Sequence, residues 1–291
     1  MADTVNGSCD PAFNRVRDLL QEKLTSGEEL GASLCVSVDG KNVLDLWGGH
    51  ADAEKSRPWE EDTVTVVWSC SKVVTALAGL TLIDRGLLDP EERVSKYWPE
   101  FGVNGKEDIK VWHIFSHSSG LCTWEKPVTV ELLLDTPAST VELAKQAPLF
   151  EPGSASGYQM QTHGHLIGEL VRRISGKPLK QFIADEIAGP LDAKISETPA
   201  FRAADVGASN GFANARALAR IGSLVSLKGT VDGKQYLAPK TVDQMVQESI
   251  SGVDLVLGLN LRIGLGVGLP VPNLSFIPEG NIAFWGGWED L

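Results

Sequence analysis

Apolar residues recur along this chain at two spacings, and the switches between them mark out its elements. Phe13, Val16, Leu20 and Leu24 follow a helical period behind Asp10-Pro11, so residues 11–25 read as an amphipathic helix with an aspartate cap and a first-turn proline. Ala32 to Val38 and Asn42 to Trp47 are β-prone runs on either side of Asp39-Gly40-Lys41, a strong hairpin signal. A long helix is predicted from about Ser69 to Arg85, stopping at Gly86, and the stretch Val111 to Leu121 is short and mixed. From Thr162 to Ile174, Leu166, Ile167, Leu170, Val171 and Ile174 share one side of a helix that Gly176 ends. Pro178 opens another helix running into Gly189-Pro190, and Asn214 to Leu227 and Pro239 to Val246 give two more. Strand-like sequence returns near Leu255 to Val267 and at Asn281 to Trp285.

Hairpin, many helices, then strands again is the pattern of an α+β fold. It predicts one antiparallel sheet built from both ends of the chain and flanked by helices, with an all-helical region inserted. The expected organisation is a single domain over 1–291, with a sheet part at 1–68 and 211–291 and a mostly helical part at 69–210. Neither an internal repeat nor a low-complexity segment interrupts it.

Composition narrows the function. The 291 residues suffice for a substantial core, and 43% hydrophobic with 22% charged residues is ordinary for a folded soluble protein. Acidic residues outnumber basic ones 38 to 26, for a net charge of −12, which argues against a nucleic-acid partner because phosphate binding needs a basic surface. Cys9, Cys35, Cys70 and Cys122 form no CxxC or zinc-type spacing, so no metal, redox pair or cofactor is predicted. Met1 to Asp10 is polar with no apolar signal core. The longest apolar stretch, Val253 to Leu269, is broken by Asp254, Asn260, Arg262 and several glycines, short of the roughly 20 residues a membrane span needs. The expectation is a cytoplasmic protein with no membrane partner.

One tetrapeptide carries chemistry. A nucleophilic serine needs a base within hydrogen-bond reach and donors for the oxyanion it creates. Ser69-Cys70-Ser71-Lys72 supplies the first two, since i and i+3 share a helix face. About one such match is expected by chance in a chain of this length, but this one follows the β-prone Thr63 to Val67 and opens a well-formed helix. The helix N-terminus disfavours the ammonium form of Lys72, and burial adds to that, so a partly neutral amine is available to take the serine proton. Ser71 is the rival, but Val74 stands at its +3 position. The histidines offer no alternative: His113 and His117 are four apart without the HExxH glutamate, and no G-x-S-x-G elbow is present. His163 and His165 fall near Tyr158 and are candidates to support it.

Val67-Trp68-Ser69-Cys70-Ser71-Lys72, followed by an apolar helix ending Asp84-Arg85-Gly86-Leu87-Leu88-Asp89, resembles the first motif of class C β-lactamases and their esterase relatives, in the β-lactamase/penicillin-binding-protein superfamily. Val111 to Leu121 resembles that group's HLLSHTSGL stretch. Phe150-Glu151-Pro152-Gly153 through Tyr158, then Gly164 to Gly168, resembles the stretch carrying its second motif, and Gly189-Pro190-Leu191 also fits. The resemblance runs from about residue 10 to 288. It implies a β-lactamase/transpeptidase-like fold and makes Tyr158 the second catalytic group, sharing the serine proton with Lys72; beside cations a tyrosine loses its own proton more readily. It also implies that Trp285-Gly286-Gly287 is the third motif in its esterase form, with the N–H groups of Ser69 and Trp288 as the oxyanion hole.

Two departures bear on substrate. Tyr158-Gln159-Met160 stands where β-lactamases have Tyr-x-Asn, and Trp285 stands where they have a lysine. The resemblance therefore implies a small or medium uncharged carboxylic ester as acyl donor, opened through an acyl-Ser69 intermediate. Acyl transfer to an alcohol on a secondary metabolite uses the same residues. After Trp288 only Glu289, Asp290 and Leu291 follow, where relatives continue with two strands and a helix, so a truncated, non-catalytic homologue is a third expectation.

Overall fold

The computed structural model describes residues 4–193, 204–272, 274, 277–278 and 280–287. The described residues fall into two compact units, Met1–Thr65 with Ala188–Ser196 and Phe212–Tyr236, and Val66–Ile187 with Glu197–Gly211 and Leu237–Leu291.

In the first unit, strand β1 (Asn6–Cys9) is followed by helix α1 (Asn14–Ser26) and the hairpin of β2 (Gly31–Val38) and β3 (Lys41–Gly49). The sheet is antiparallel in the order β1-β3-β2. Asp39 and Gly40 both take positive φ, 50° and 79°, as the tight hairpin requires. The predicted first helix is present, though Pro11–Phe13 is a 3-10 turn capped by the Asp10 carboxylate. Leu20 and Leu24 of α1 close onto Leu44 and Leu46 of β3 as a core cluster. β1 escaped the sequence patterning because Asn6-Gly7-Ser8-Cys9 has almost no apolar signal and gains its order from pairing with β3.

The second unit centres on helix α2 (Ser71–Asp84), which is apolar on nearly all sides and buried from Ser71 to Leu82 with a single interruption at Val73. Such a helix is stable only when wrapped by others. The helix Thr162–Ser175 packs against it, ends at Gly176, and matches the predicted span to within a residue. Helices Val130–Leu134 and Thr136–Lys145 were not anticipated; Thr129 and Asp135 cap them by accepting from the Leu132 and Ala138 N–H groups.

The C-terminal strands form their own antiparallel sheet of Ile250–Val253, Asn260–Ile263 and Gly268–Leu269, to which Phe284 adds a bridge at Gly268. Among the described residues, two three-stranded and two two-stranded sheets thus stand where the sequence pattern predicts one, within a mixed α+β chain. The predicted strand at Leu255–Val267 is also corrected. Asp254 turns the chain by accepting from the Val256 and Leu257 N–H groups, so 254–259 is a hairpin turn. Among the described residues, no helix is long and apolar enough to cross a membrane.

Candidate active site

Ser69 sits in a 3-10 turn, Trp68–Cys70, that feeds directly into α2. Trp68 holds φ at 41°, a left-handed conformation that costs a bulky residue about 1–3 kcal/mol. Neighbouring bonds over-determine it: Val67 N–H donates to Gly211 O at 2.9 Å and Cys70 N–H to Val67 O at 3.0 Å. Ser71 supplies the rest of the clamp, its hydroxyl donating to Trp68 O at 2.5 Å and accepting from Gly211 N–H at 2.9 Å. The rival serine is therefore buried and engaged by backbone on two sides, while Ser69 opens onto a cleft.

Lys72 is wholly buried. Its Nζ lies 3.0 Å from Ser69 Oγ, 2.8 Å from Met160 O and 2.9 Å from Ala208 O. Burial pulls its pKa down to about 7, against a small opposing influence from Cys70. The two carbonyls occupy both hydrogens of a neutral amine, and the lone pair then faces the Ser69 hydroxyl. An ammonium satisfies the same three neighbours with three donors, so the site accommodates either form without rearrangement.

Tyr158 approaches from the loop before helix Thr162–Ser175, its hydroxyl donating to Ser69 Oγ at 2.8 Å. The three side chains predicted to meet are thus brought together in one chain of hydrogen bonds, all within the second unit. The expectation that Tyr158 loses its proton readily is corrected. Burial raises its pKa, and side-chain hydrogen bonding with Ser69 and Trp285 only partly opposes that. A neutral hydroxyl is the resting form.

The Tyr158 loop is held by residues that sequence reasoning missed or left without a role. The Asp254 carboxylate, fully buried, accepts from the Tyr158 N–H at 3.2 Å as well as from its own turn. His117 Nδ1 accepts from the Gln159 N–H at 3.0 Å, and its ring stacks between His163, at 4.7 Å, and Trp285, at 5.6 Å. Burial holds His117 and His163 well below the usual histidine pKa, so both rings stay neutral beside Lys72. His165 instead contacts the Gln161 and Leu133 carbonyls. Gln159 is buried against Ser119 and Ile114, so it does not face substrate, whereas Met160 is exposed on the cleft.

Trp285, Gly286 and Gly287 border the same cleft, of about 650 Å³, opposite Trp68, Ser69 and Met160. A Cβ on Gly287 would meet Val67 O at 2.5 Å, so only glycine allows this approach; at Gly286 the space is open. Trp288, the expected second oxyanion donor, lies outside the described residues. Leu257, Leu261 and Phe284 make the remaining wall largely apolar. One cation does reach the lining, Arg262, but its Nε is paired to Glu248 at 2.7 Å and its Nη1 donates to Pro270 O at 3.0 Å.

An α+β fold with a serine, a buried lysine and a tyrosine joined at one cleft is the arrangement expected of a serine hydrolase. The model of the Beta-lactamase family matches residues 16–289, and the chain belongs to that family. It is 29% identical over 348 residues to the esterase/beta-lactamase LipL of Mycobacterium tuberculosis, spanning 98% of this chain and 80% of that protein. Among solved structures, a family VIII carboxylesterase superposes with a TM-score of 0.88 at 33% identity, covering 92% of this chain and 84% of that one. A penicillin-binding protein homologue from Caulobacter crescentus gives 0.92 at 30% identity, covering 98% and 88%. These relatives support a serine hydrolase.

Proposed function

We propose that the protein hydrolyses uncharged carboxylic esters through an acyl intermediate on Ser69. The observation that carries this reading is the unbroken chain from the Tyr158 hydroxyl through Ser69 to an amine whose pKa is about 7. Neutral Lys72 takes the Ser69 proton as Oγ bonds to the ester carbonyl carbon. The oxyanion is received by the Ser69 backbone N–H. As the ester C–O bond breaks, Tyr158 gives its proton to the departing alkoxide and is reprotonated from Lys72. Water then attacks the acyl-enzyme with Lys72 again as base, releasing the acid and free Ser69.

Neutral esters fit best, because Trp285 and Met160 supply neither a cation nor an amide to a charged acyl donor. Ser69→Ala should abolish turnover of p-nitrophenyl acetate and labelling by a fluorophosphonate, with the circular dichroism spectrum unchanged. Retained turnover in that variant sinks the assignment. Acyl transfer shares these residues, and an ester of an added alcohol among the products separates it from hydrolysis. A folded wild-type chain that neither turns over esters nor takes the probe is a non-catalytic homologue.

A further inference from the structure

The turn between strands Ile250–Val253 and Asn260–Ile263 has an unusual surface. Five of the seven residues from Val253 to Leu259 are aliphatic, with exposures between 42% and 59%: Val253, Leu255, Val256, Leu257 and Leu259. The other two are Gly258 and the buried Asp254, so the turn presents no exposed charge. Exposing this much contiguous apolar surface is unfavourable unless something covers it.

The turn is also fixed in place. The Asp254 carboxylate accepts from the Tyr158, Val256 and Leu257 N–H groups, and the Leu255 N–H donates to Ser156 O at 2.8 Å. It is therefore tied to the loop that carries Tyr158. It is continuous with the cleft as well, because Leu257 and Leu261 line the same cavity as Ser69, with Trp68, Met160 and Phe284 adding further apolar wall.

We propose that this surface is the track for a long unbranched aliphatic chain of the substrate ester, laid from Ser69 past Leu257 onto the Val253–Leu259 turn. The inference rests on the ester-hydrolase reading and deepens it by naming the substrate class. A chain leaving the cleft meets only aliphatic surface there, and each methylene withdrawn from water onto it favours binding by roughly threefold. The shared chemistry, an aliphatic chain, can belong to the acyl or to the alcohol side of the ester.

Two substrate series test this on the whole chain. One is p-nitrophenyl esters from acetate to dodecanoate; the other is acetate esters from ethyl to decyl alcohol. The expected result is that kcat/KM rises with length, by about threefold per methylene, in one of the two series. The series that rises assigns the track to the acyl or the alcohol side. In the Leu255→Ser/Leu259→Ser variant, whose changes are both at exposed positions, the ratio of long-chain to short-chain efficiency should fall by roughly tenfold or more. A ratio is used because it cancels any general loss of active protein. Ser69-dependent turnover of the acetate with both series flat or falling overturns the track and leaves the hydrolase reading intact. No Ser69-dependent turnover of any ester overturns the hydrolase reading itself. A dimer abolished by the same two substitutions, together with flat chain-length profiles, gives the surface to a second copy and likewise overturns the track.

Discussion

Burial of the Lys72 side chain bears both on the proposed reactivity and on stability. Its amine must be neutral to accept the serine proton, so kcat/KM should fall as pH drops through about 7, the value to which burial brings it. Tyr158 is pushed the other way, so its loss of a proton belongs above the ordinary tyrosine range and does not shape the neutral region. A pH–rate profile on p-nitrophenyl acetate that stays flat from neutrality well into acid would remove Lys72 as the base. The same shift has a stability consequence. The folded value of about 7 lies below the ordinary 10.5, so between them the unfolded chain binds the extra proton and folding strengthens as pH rises. Below about 7 both states are protonated and the burial penalty is fully felt. Urea unfolding of wild type against Lys72→Met should show wild type gaining on the variant between neutral and alkaline pH. Of these features, the Ser69–Lys72 pairing was legible in the sequence because a helix face is a local property. The carbonyls of Met160 and Ala208 that hold the amine were not, since they come from 88 and 136 residues away and backbone atoms leave no composition signal.

At the scale of elements, the third motif and the Asp254 turn both act through close backbone contact. Gly287→Ala forces a Cβ to within 2.5 Å of Val67 O, two residues before Ser69, whereas Gly286→Ala meets nothing. Overpacking of this kind costs about 1–3 kcal/mol, so Gly287→Ala should lower kcat/KM by roughly tenfold or more. Gly286→Ala should do much less, and equal losses would show that the close approach at Gly287 is irrelevant. Asp254→Ala leaves three N–H groups without their acceptor, including that of Tyr158, and should cut kcat by about tenfold or more. Asp254→Asn keeps an accepting oxygen and should retain most of the rate; a crystal structure of the alanine variant with Tyr158 unmoved counts against the clamp. Helices with an apolar stripe or a clear stop, such as Thr162–Ser175, could be read from the sequence. The Val253–Leu269 stretch could not, because its aliphatic run looks like one strand and only the reach of the Asp254 carboxylate, 96 residues from Tyr158, reveals the turn.

For the whole molecule, the question is which acyl donors the cleft admits. A lysine in place of Trp285 would offer a β-lactam carboxylate a charge-assisted hydrogen bond, typically about 1.5–3 kcal/mol. Arg262 does not substitute for it, since Glu248 already balances its charge. With Met160 in place of an amide as well, neutral esters should exceed nitrocefin in kcat/KM by at least about a hundredfold. Comparable turnover of nitrocefin would mean that Arg262 or another group reads the carboxylate after all. The α+β class was legible from the order of strand-like and helical segments. The separation into several small sheets was not, because strand partners are chosen by packing rather than by local pattern.

The Asp254 clamp also bears on how freely this enzyme's preferences can drift. What the carboxylate grips at positions 256, 257 and 158 is main-chain N–H, which every residue except proline carries. The side chains of Val256 and Leu257 take no part in these bonds and are exposed, and that of Leu257 lines the cleft. Selection, natural or in the laboratory, can therefore rewrite these aliphatic positions one at a time while the proton-transfer chain keeps its geometry.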